Sequence, residues 1–207
     1  MLRILGKRQS INVRKVLWAC DEIGLDYTQE DWGAGFRPTS DPAFQALSPK
    51  GLVPVVVYGD AVLTESNTIV RYLAARYGRP DLLPVDPVER AQVEAAMDWQ
   101  ATEFNTAWRT AFLVLMRNRP DAGTPEQVEA SITEWTRMVA LLDGQFADGR
   151  AFICGATFTV ADIVIGLSLH RWFRAPIPRP DFTHAAAYYA RLAERPAGRA
   201  YMAATYD

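Results

Sequence analysis

Three prolines within nine residues divide this chain into two parts with different hydrophobic patterns. Residues 79–87 read Arg-Pro-Asp-Leu-Leu-Pro-Val-Asp-Pro. Because proline lacks the backbone N–H that helices and central strands use, this density of proline predicts a linker. A chain of 207 residues is long enough for one large domain or two small ones. The linker therefore predicts two domains, over residues 1–78 and 88–207.

The first domain alternates strand and helix patterns. A helix with apolar residues at helical spacing follows the first strand and ends at Gly24, a short helix runs over 42–47, and a last helix ends at Gly78. A Gly-Asp turn between two β-branched runs predicts a hairpin. The strands are expected at 2–5, 26–31, 55–58 and 61–63. The order βαβαββα predicts an α/β domain in which helices pack on one sheet.

The second domain has helical patterns and nothing that resembles a strand. Apolar residues recur at helical spacing over 104–115 and 132–146, and Thr124-Pro125 is a typical helix start. Thr159 and Asp162 form a capping-box pattern for a further helix. The second domain is therefore predicted to be an all-α bundle.

Composition excludes several classes of function. The 22 basic and 24 acidic residues give a net charge of −2, which offers no electrostatic footprint for nucleic acid or an anionic membrane. No apolar run approaches the length of a membrane span, and residues 1–8 lack the apolar core of a signal peptide. Two cysteines, Cys20 and Cys154, are too few for a disulfide framework, and the two histidines suggest no zinc site. We expect a cytoplasmic protein without a metal.

Three segments of the first domain carry groups that suit a small zwitterionic ligand. Ser10 and Asn12 lie where the first strand leads into the first helix, whose free N–H groups and partial positive charge favour an anion. Val53-Pro54 precedes a strand, and a cis bond there would expose the Val53 N–H and C=O to an extended peptide.

The third segment, Glu65-Ser66, opens the last helix of the first domain. It offers a carboxylate for an ammonium group and a hydroxyl at a helix end for a carboxylate. Each segment also has a structural interpretation, since serine and acidic residues cap helices and most X-Pro bonds are trans. Singly, the structural interpretation is the stronger one.

Ser10-x-Asn12 before a helix combines with longer motifs further along the chain. Residues 48–55 read Ser-Pro-Lys-Gly-Leu-Val-Pro-Val, residues 65–73 read Glu-Ser-Asn-Thr-Ile-Val-Arg-Tyr-Leu, and residues 158–162 read Phe-Thr-Val-Ala-Asp. In this order and spacing, these motifs resemble those of the cytosolic glutathione transferases over nearly the whole chain. The resemblance implies a thioredoxin-like N-terminal domain, an all-helical C-terminal domain and a homodimer.

The resemblance also implies how glutathione, the co-substrate of that family, would bind. Val53 would pair its backbone with the cysteinyl part, with Pro54 cis, and Glu65 and Ser66 would hold the γ-glutamyl end. The family motif often reads Asn-Pro-x-Gly-Lys/Arg-Val-Pro, so the usual basic residue is missing here, where Leu52 stands.

The glycyl carboxylate of glutathione therefore has only substitute candidates. Lys50 is the first, and Trp32 and Arg37 in the preceding loop are weaker ones. For Lys50 and Arg37, a solvated surface charge is the stronger interpretation.

The thiolate of glutathione has two candidate partners. With no Tyr or Cys in residues 1–12, the chain resembles the serine-type bacterial branches of the family, theta-like or nu-like, which implies that Ser10 hydrogen-bonds the thiolate. Asn12 is the second candidate, because some disulfide-reducing relatives rely on a Thr or Asn at this turn.

The second substrate is expected to be a small hydrophobic electrophile. Trp108, Phe112 and Met116 share one face of a long helix in the second domain and are predicted to line its pocket, although the same spacing fits core packing. The predicted function is glutathione transfer onto such electrophiles in detoxification. Glutathione-dependent reduction of disulfides or peroxides, and a non-enzymatic glutathione-binding or regulatory role, are the alternatives.

Overall fold

The proline-rich segment contains the boundary between two structural units. A computed structural model describes residues 1–205, with one unit over Met1–Leu83 and a second that begins at Pro84. Residues 206 and 207 of the predicted C-terminal domain lie outside the described residues. Pro87, predicted as the end of the linker, is instead the first residue of a helix.

The first unit is a four-stranded mixed sheet with three helices, and it has the predicted order βαβαββα. The sheet order is β2-β1-β3-β4, with β1 parallel to β2 and the other pairs antiparallel. The strands are β1 (Leu2–Leu5), β2 (Tyr27–Glu30), β3 (Val55–Tyr58) and β4 (Ala61–Leu63), and the helices are α1 (Ile11–Ile23), α2 (Pro42–Gln45) and α3 (Ser66–Arg76).

The register of the two central strands places the end of β1 beside the start of β3. Leu5 pairs with Val55 in the antiparallel ladder. The residue after Leu5 and the residues before Val55 must therefore meet at the same edge of the sheet. This register brings the first two candidate segments together.

The second unit is built from helices. They are α4 (Pro87–Trp99), α5 (Asn105–Met116), α6 (Pro125–Gln145), α7 (Val160–Arg174), α8 (Thr183–Glu194) and α9 (Arg199–Ala203). A π-helical turn over Gln100–Phe104 joins α4 to α5. Helix α7 is buried along most of its length, with Trp172 packed edge-on against Trp135 at 5.3 Å between ring centroids.

The predicted capping box at the start of α7 is confirmed. Asp162, which is fully buried, accepts from the Thr159 N–H at 2.8 Å. Its carboxylate also accepts from the Ile153 N–H and the Tyr188 hydroxyl, each at 2.9 Å. Burial outweighs these hydrogen bonds and raises the pKa of Asp162 to about 6.

Candidate functional site

Gly6, directly after β1, is the point at which the first two candidate segments meet. It is buried and has a φ of 147°. A Cβ at this position would lie 2.5 Å from Val13 Cγ2 on α1 and 2.9 Å from Val53 Cβ, closer than side chains approach one another. Glycine here therefore allows the first turn of α1 and the Val53 segment to close on the end of β1. In the sequence, Gly6 was visible only as the end of a strand.

The start of α1 presents two polar side chains that are free to donate. Ser10 occupies the N-cap position, but its side chain makes no capping hydrogen bond. No described residue hydrogen-bonds the Ser10 hydroxyl or the Asn12 amide, and both residues are partly exposed. The first turn also carries no acidic residue. This helix end therefore suits an anion such as a thiolate.

The Val53–Pro54 peptide bond is cis, as the resemblance implied. Pro54 is buried and Val53 is partly exposed. Within residues 1–205, no group hydrogen-bonds the Val53 N–H or C=O. Both backbone groups are available to an extended ligand, in the manner of an added strand.

The start of α3 is open in the same way. Glu65 has a φ of 66° and a ψ of 108°, unusual for a residue other than glycine, and its side chain does not cap the helix. Ser66 is 8% exposed, and its hydroxyl has no hydrogen-bond partner in the part of the chain that the structure describes. This helix start, with no side-chain cap from Glu65 and an unpartnered Ser66 hydroxyl, therefore suits an anion.

Lys50 contacts Glu65, the residue predicted to bind the opposite end of glutathione. The Lys50 Nζ lies 3.2 Å from Glu65 Oε1, and the two side chains are 69% and 63% exposed. Ion pairs this exposed contribute about 0–1 kcal/mol, so a ligand can separate them at little cost. Lys50 would have to leave Glu65 to reach a glycyl carboxylate.

Trp32 packs into the core of the first unit. Its ring lies in a cluster with Leu5, Phe44 and Val55, and its indole N–H donates to Glu30 Oε2 at 3.2 Å. The Arg37 guanidinium lies 5.2 Å over the same ring and is exposed. Of these two loop candidates, only Arg37 offers donor groups at the surface.

Two buried basic residues near the site were missed from the sequence. On α1, Arg14 is 5% exposed and donates through Nε to the Arg8 carbonyl at 2.8 Å. Lys15 is 1% exposed and donates to Asn67 Oδ1 on α3 at 3.0 Å. The sequence did contain a sign of these buried cations, because Arg14 and Lys15 stand between the apolar residues Val13 and Val16 of the helix.

Trp108 and Phe112 lie in the interior of the second unit. They are 9% and 5% exposed, and the Arg171 guanidinium stacks on both rings at 4.0 and 3.8 Å. Met116, one turn further along α5, is partly exposed. Two cavities in this unit, of about 630 and 920 Å³, are not lined by any of the three predicted pocket residues. The geometry of Trp108 and Phe112 is that of packing, and their role toward an electrophile stays a prediction.

The protein's own thiols are poorly suited to nucleophilic chemistry. Burial raises the pKa of Cys20 to about 12 and that of Cys154 to about 11. Among residues 1–205, no group of three His, Cys, Asp or Glu side chains is placed to hold a metal ion. No helix in that range is long and apolar enough to cross a membrane.

Comparison with known proteins shows the family to which this chain belongs. The model of the glutathione S-transferase N-terminal domain matches residues 5–81, and the C-terminal domain model matches residues 125–191. Glutathione S-transferase GstB of Escherichia coli strain K12 is 37% identical over 204 residues, which cover 96% of each chain. Glutathione S-transferase 3 of Zea mays is 30% identical over 214 residues, covering 98% of this chain and 94% of the maize protein.

A solved structure has the same fold over its full length. It is the theta class glutathione S-transferase of Xanthomonas axonopodis pv. citri with glutathione bound. The TM-score is 0.91 at 38% identity, and the match covers 100% of this chain and 99% of that one.

Proposed function

Because the chain belongs to the glutathione S-transferase family, we propose that it activates the glutathione thiol for attack on small hydrophobic electrophiles. One observation carries the proposal. Polar groups without partners, on Ser10, Val53 and Ser66, occur at two helix starts and beside a sheet edge within one unit. Ser10 and Val53 are partly exposed, so a ligand can reach these groups, and their unused hydrogen-bonding capacity supports a polar ligand as their partner.

The ligand that these groups suit is an extended zwitterionic peptide. The Val53 backbone pairs with the cysteinyl residue, and Ser66 with the open end of α3 receives the γ-glutamyl carboxylate. Glu65 receives the γ-glutamyl ammonium group once Lys50 has moved away. Lys50 and the exposed Arg37 are then the candidates for the glycyl carboxylate.

Activation of the thiol is a matter of pKa. With a thiol pKa near 8.5, only about 3% of glutathione is thiolate at neutral pH. Lowering that pKa by about 2 units requires roughly 2.7 kcal/mol of preference for the thiolate. A helix start supplies about 0.3–1 kcal/mol and a hydrogen bond to a charged group about 1.5–3 kcal/mol. Neither contribution is comfortably enough alone, but the Ser10 hydroxyl and the start of α1 together can supply this amount.

Ser10 acts in this proposal as a hydrogen-bond donor and not as a covalent nucleophile. Residues 1–83 contain no histidine that could serve as its base. The bound thiolate itself attacks the electrophilic carbon, forms the carbon–sulfur bond and expels the leaving group.

Titration of the bound thiol tests this proposal directly. The absorbance of the glutathione thiolate is followed against pH in the wild type, in Ser10→Ala and in Asn12→Ala. We expect Ser10→Ala to raise the thiol pKa by about 1–2 units, the equivalent of one charged hydrogen bond. An unchanged pKa in Ser10→Ala would remove Ser10 from its role. Failure of the wild type to bind glutathione would overturn the proposal as a whole.

The Asn12 amide supports glutathione-dependent disulfide reduction as a second candidate activity. It is partly exposed, has no partner among the described residues and lies in the same helical turn as Ser10. Assays with an aryl halide and with a mixed disulfide distinguish the two reactions. Glutathione binding without either activity would favour a non-enzymatic role.

We further propose that the protein is a cytoplasmic homodimer and that Met116 contributes to an apolar electrophile pocket. Family membership supports the dimer. Sedimentation equilibrium measures the mass of the assembly, and a monomer at micromolar concentration would contradict the proposed dimer.

Met116→Ala should raise the KM for the electrophile and leave the KM for glutathione unchanged.

A further inference from the structure

Lys15 is a charged side chain in the interior of the first unit. It lies on α1, which packs against α3, and only 1% of it is exposed. Its Nζ donates to Oδ1 of Asn67 at 3.0 Å, across 52 positions of sequence. The bond therefore joins two helices that are distant along the chain.

Packing alone does not explain a lysine at this position. An ammonium group loses much of its hydration when it is buried, and it is tolerated only with hydrogen-bond partners. A methionine fills a similar volume without that loss of hydration. What lysine adds is a directional hydrogen bond to a particular residue of α3.

Both ends of this bond lie next to the proposed glutathione site. Asn67 directly follows Ser66 and is the second residue of α3. Lys15 lies on the same helix as Ser10 and Asn12, within its first two turns. The bond therefore couples the helix start that faces the thiol to the helix start that faces the γ-glutamyl group.

We propose that Lys15 is a positioning residue for glutathione, which acts through Asn67 to hold the start of α3 at the correct distance from the start of α1. This inference rests on the proposed function. A thiol substrate that reaches both helix starts depends on that distance. A thiol that lacks the γ-glutamyl residue engages α1 but not the start of α3, and it does not depend on that distance.

The experiment compares glutathione with cysteinylglycine, which lacks the γ-glutamyl residue, as thiol substrates of Lys15→Met. We expect kcat/KM for glutathione to fall about tenfold through KM, the effect of one lost hydrogen bond to a charged group. The kcat at saturating glutathione and the kcat/KM for cysteinylglycine should stay within about twofold of the wild type. The matched control is Thr68→Ala, because Thr68 is an exposed neighbour of Asn67 on α3. This variant should leave kcat/KM unchanged for both thiol substrates.

Asn67→Ala removes the same bond from the other side and should give the same loss of selectivity. It also serves if Lys15→Met does not fold. In the double variant, the combined loss should be smaller than the sum of the two single losses, because both substitutions remove the same Lys15–Asn67 bond. Equal losses with both thiols, or no loss with either, would overturn the positioning role while glutathione binding by the wild type upholds the proposed function. A wild type that does not bind glutathione would overturn both.

Discussion

Helices start differently at the proposed site and in the helical unit. In the helical unit, Asp86 accepts from two N–H groups at the start of α4, and Thr124 and Gln127 cap α6 reciprocally. At the site, Ser10 and Glu65 occupy the same N-cap position and leave it uncapped. Both residues have oxygen atoms capable of capping, so residue type does not explain the missing caps. We attribute the difference to function, because these two helix starts are the ones proposed to bind a ligand.

Capping consumes the groups that a ligand needs. A side-chain cap stabilises a helix by about 1 kcal/mol and occupies one of its free N–H groups. Helices α1 and α3 forgo that stabilisation and keep their N–H groups for an anion. Departures from local rules of this kind are expected at functional sites. The short helix α2, also in the first unit, is capped by Asp41, so an open start is not a general property of that unit.

The largest effect on stability is expected at the capped start of α7. Asp162→Ala leaves four buried donors without their acceptor, so the free energy of unfolding should fall by about 3 kcal/mol or more. Glutathione affinity, measured on the folded fraction, should not change. Urea denaturation and calorimetric titration provide the two measurements. A parallel loss of glutathione affinity would contradict the distinction between capped helix starts, which stabilise the fold, and open ones, which bind the ligand.

The pH dependence of stability sharpens this result. Because the pKa of Asp162 is raised to about 6 in the folded protein, the folded state binds its proton more tightly than the unfolded state does. The contribution of this group to stability is therefore present below about pH 4 and is lost as the pH rises to about 6. Urea denaturation across that range should show this slope in the wild type and not in Asp162→Asn. The same slope in both proteins would assign it to another group.

The next largest effect is expected at Gly6. An alanine Cβ would overlap Val13 and Val53, so Gly6→Ala should cost about 2–3 kcal/mol of stability and weaken glutathione binding. Gly59→Ala is the matched control, because Gly59 also has a positive φ but has open space around the added Cβ. Denaturation midpoints and glutathione affinities are compared for both variants. Equal losses of stability would show that backbone conformation, and not overlap, limits this position.

The smallest effects distinguish a capped start from an open one. Thr124→Ala should lower the free energy of unfolding by about 1 kcal/mol, whereas Ser10→Ala should change it by less than about 0.5 kcal/mol. Transferase activity should respond in the opposite order. A stability loss in Ser10→Ala as large as that in Thr124→Ala would mean that Ser10 is an ordinary cap.

Local patterns in the sequence were sufficient for most of the fold. The strands of the first unit, the start of α6 at Thr124-Pro125 and the capping box at Thr159 all follow from residues within a few positions of one another. The start of α4 was missed, although Asp86-Pro87 is the same type of signal as Thr124-Pro125, because the density of proline favoured a linker. The π-helical turn after Trp99 had no local signal, since its buried Gln100 bonds Ser168, far along the chain.

The candidate site was predicted residue by residue, but its interactions were not. The open starts of α1 and α3 come from what the Ser10 and Glu65 side chains do not contact, which no motif reports. Tertiary contacts also set the environments of the other candidate residues. They bury Trp32 in the core, pair Lys50 with Glu65 and pack Trp108 against Arg171.

The order of strands and helices in the first unit and the family are therefore properties of the sequence itself, because periodicity, caps and turns act over a few residues. Which polar groups keep a partner and which remain open was decided only in the folded chain. Gly6 beside Val53 and Lys15 beside Asn67 are close in space and 47 and 52 positions apart in sequence. Hydrogen bonding and steric fit depend on distances of a few ångströms, and only tertiary packing sets those distances between remote segments.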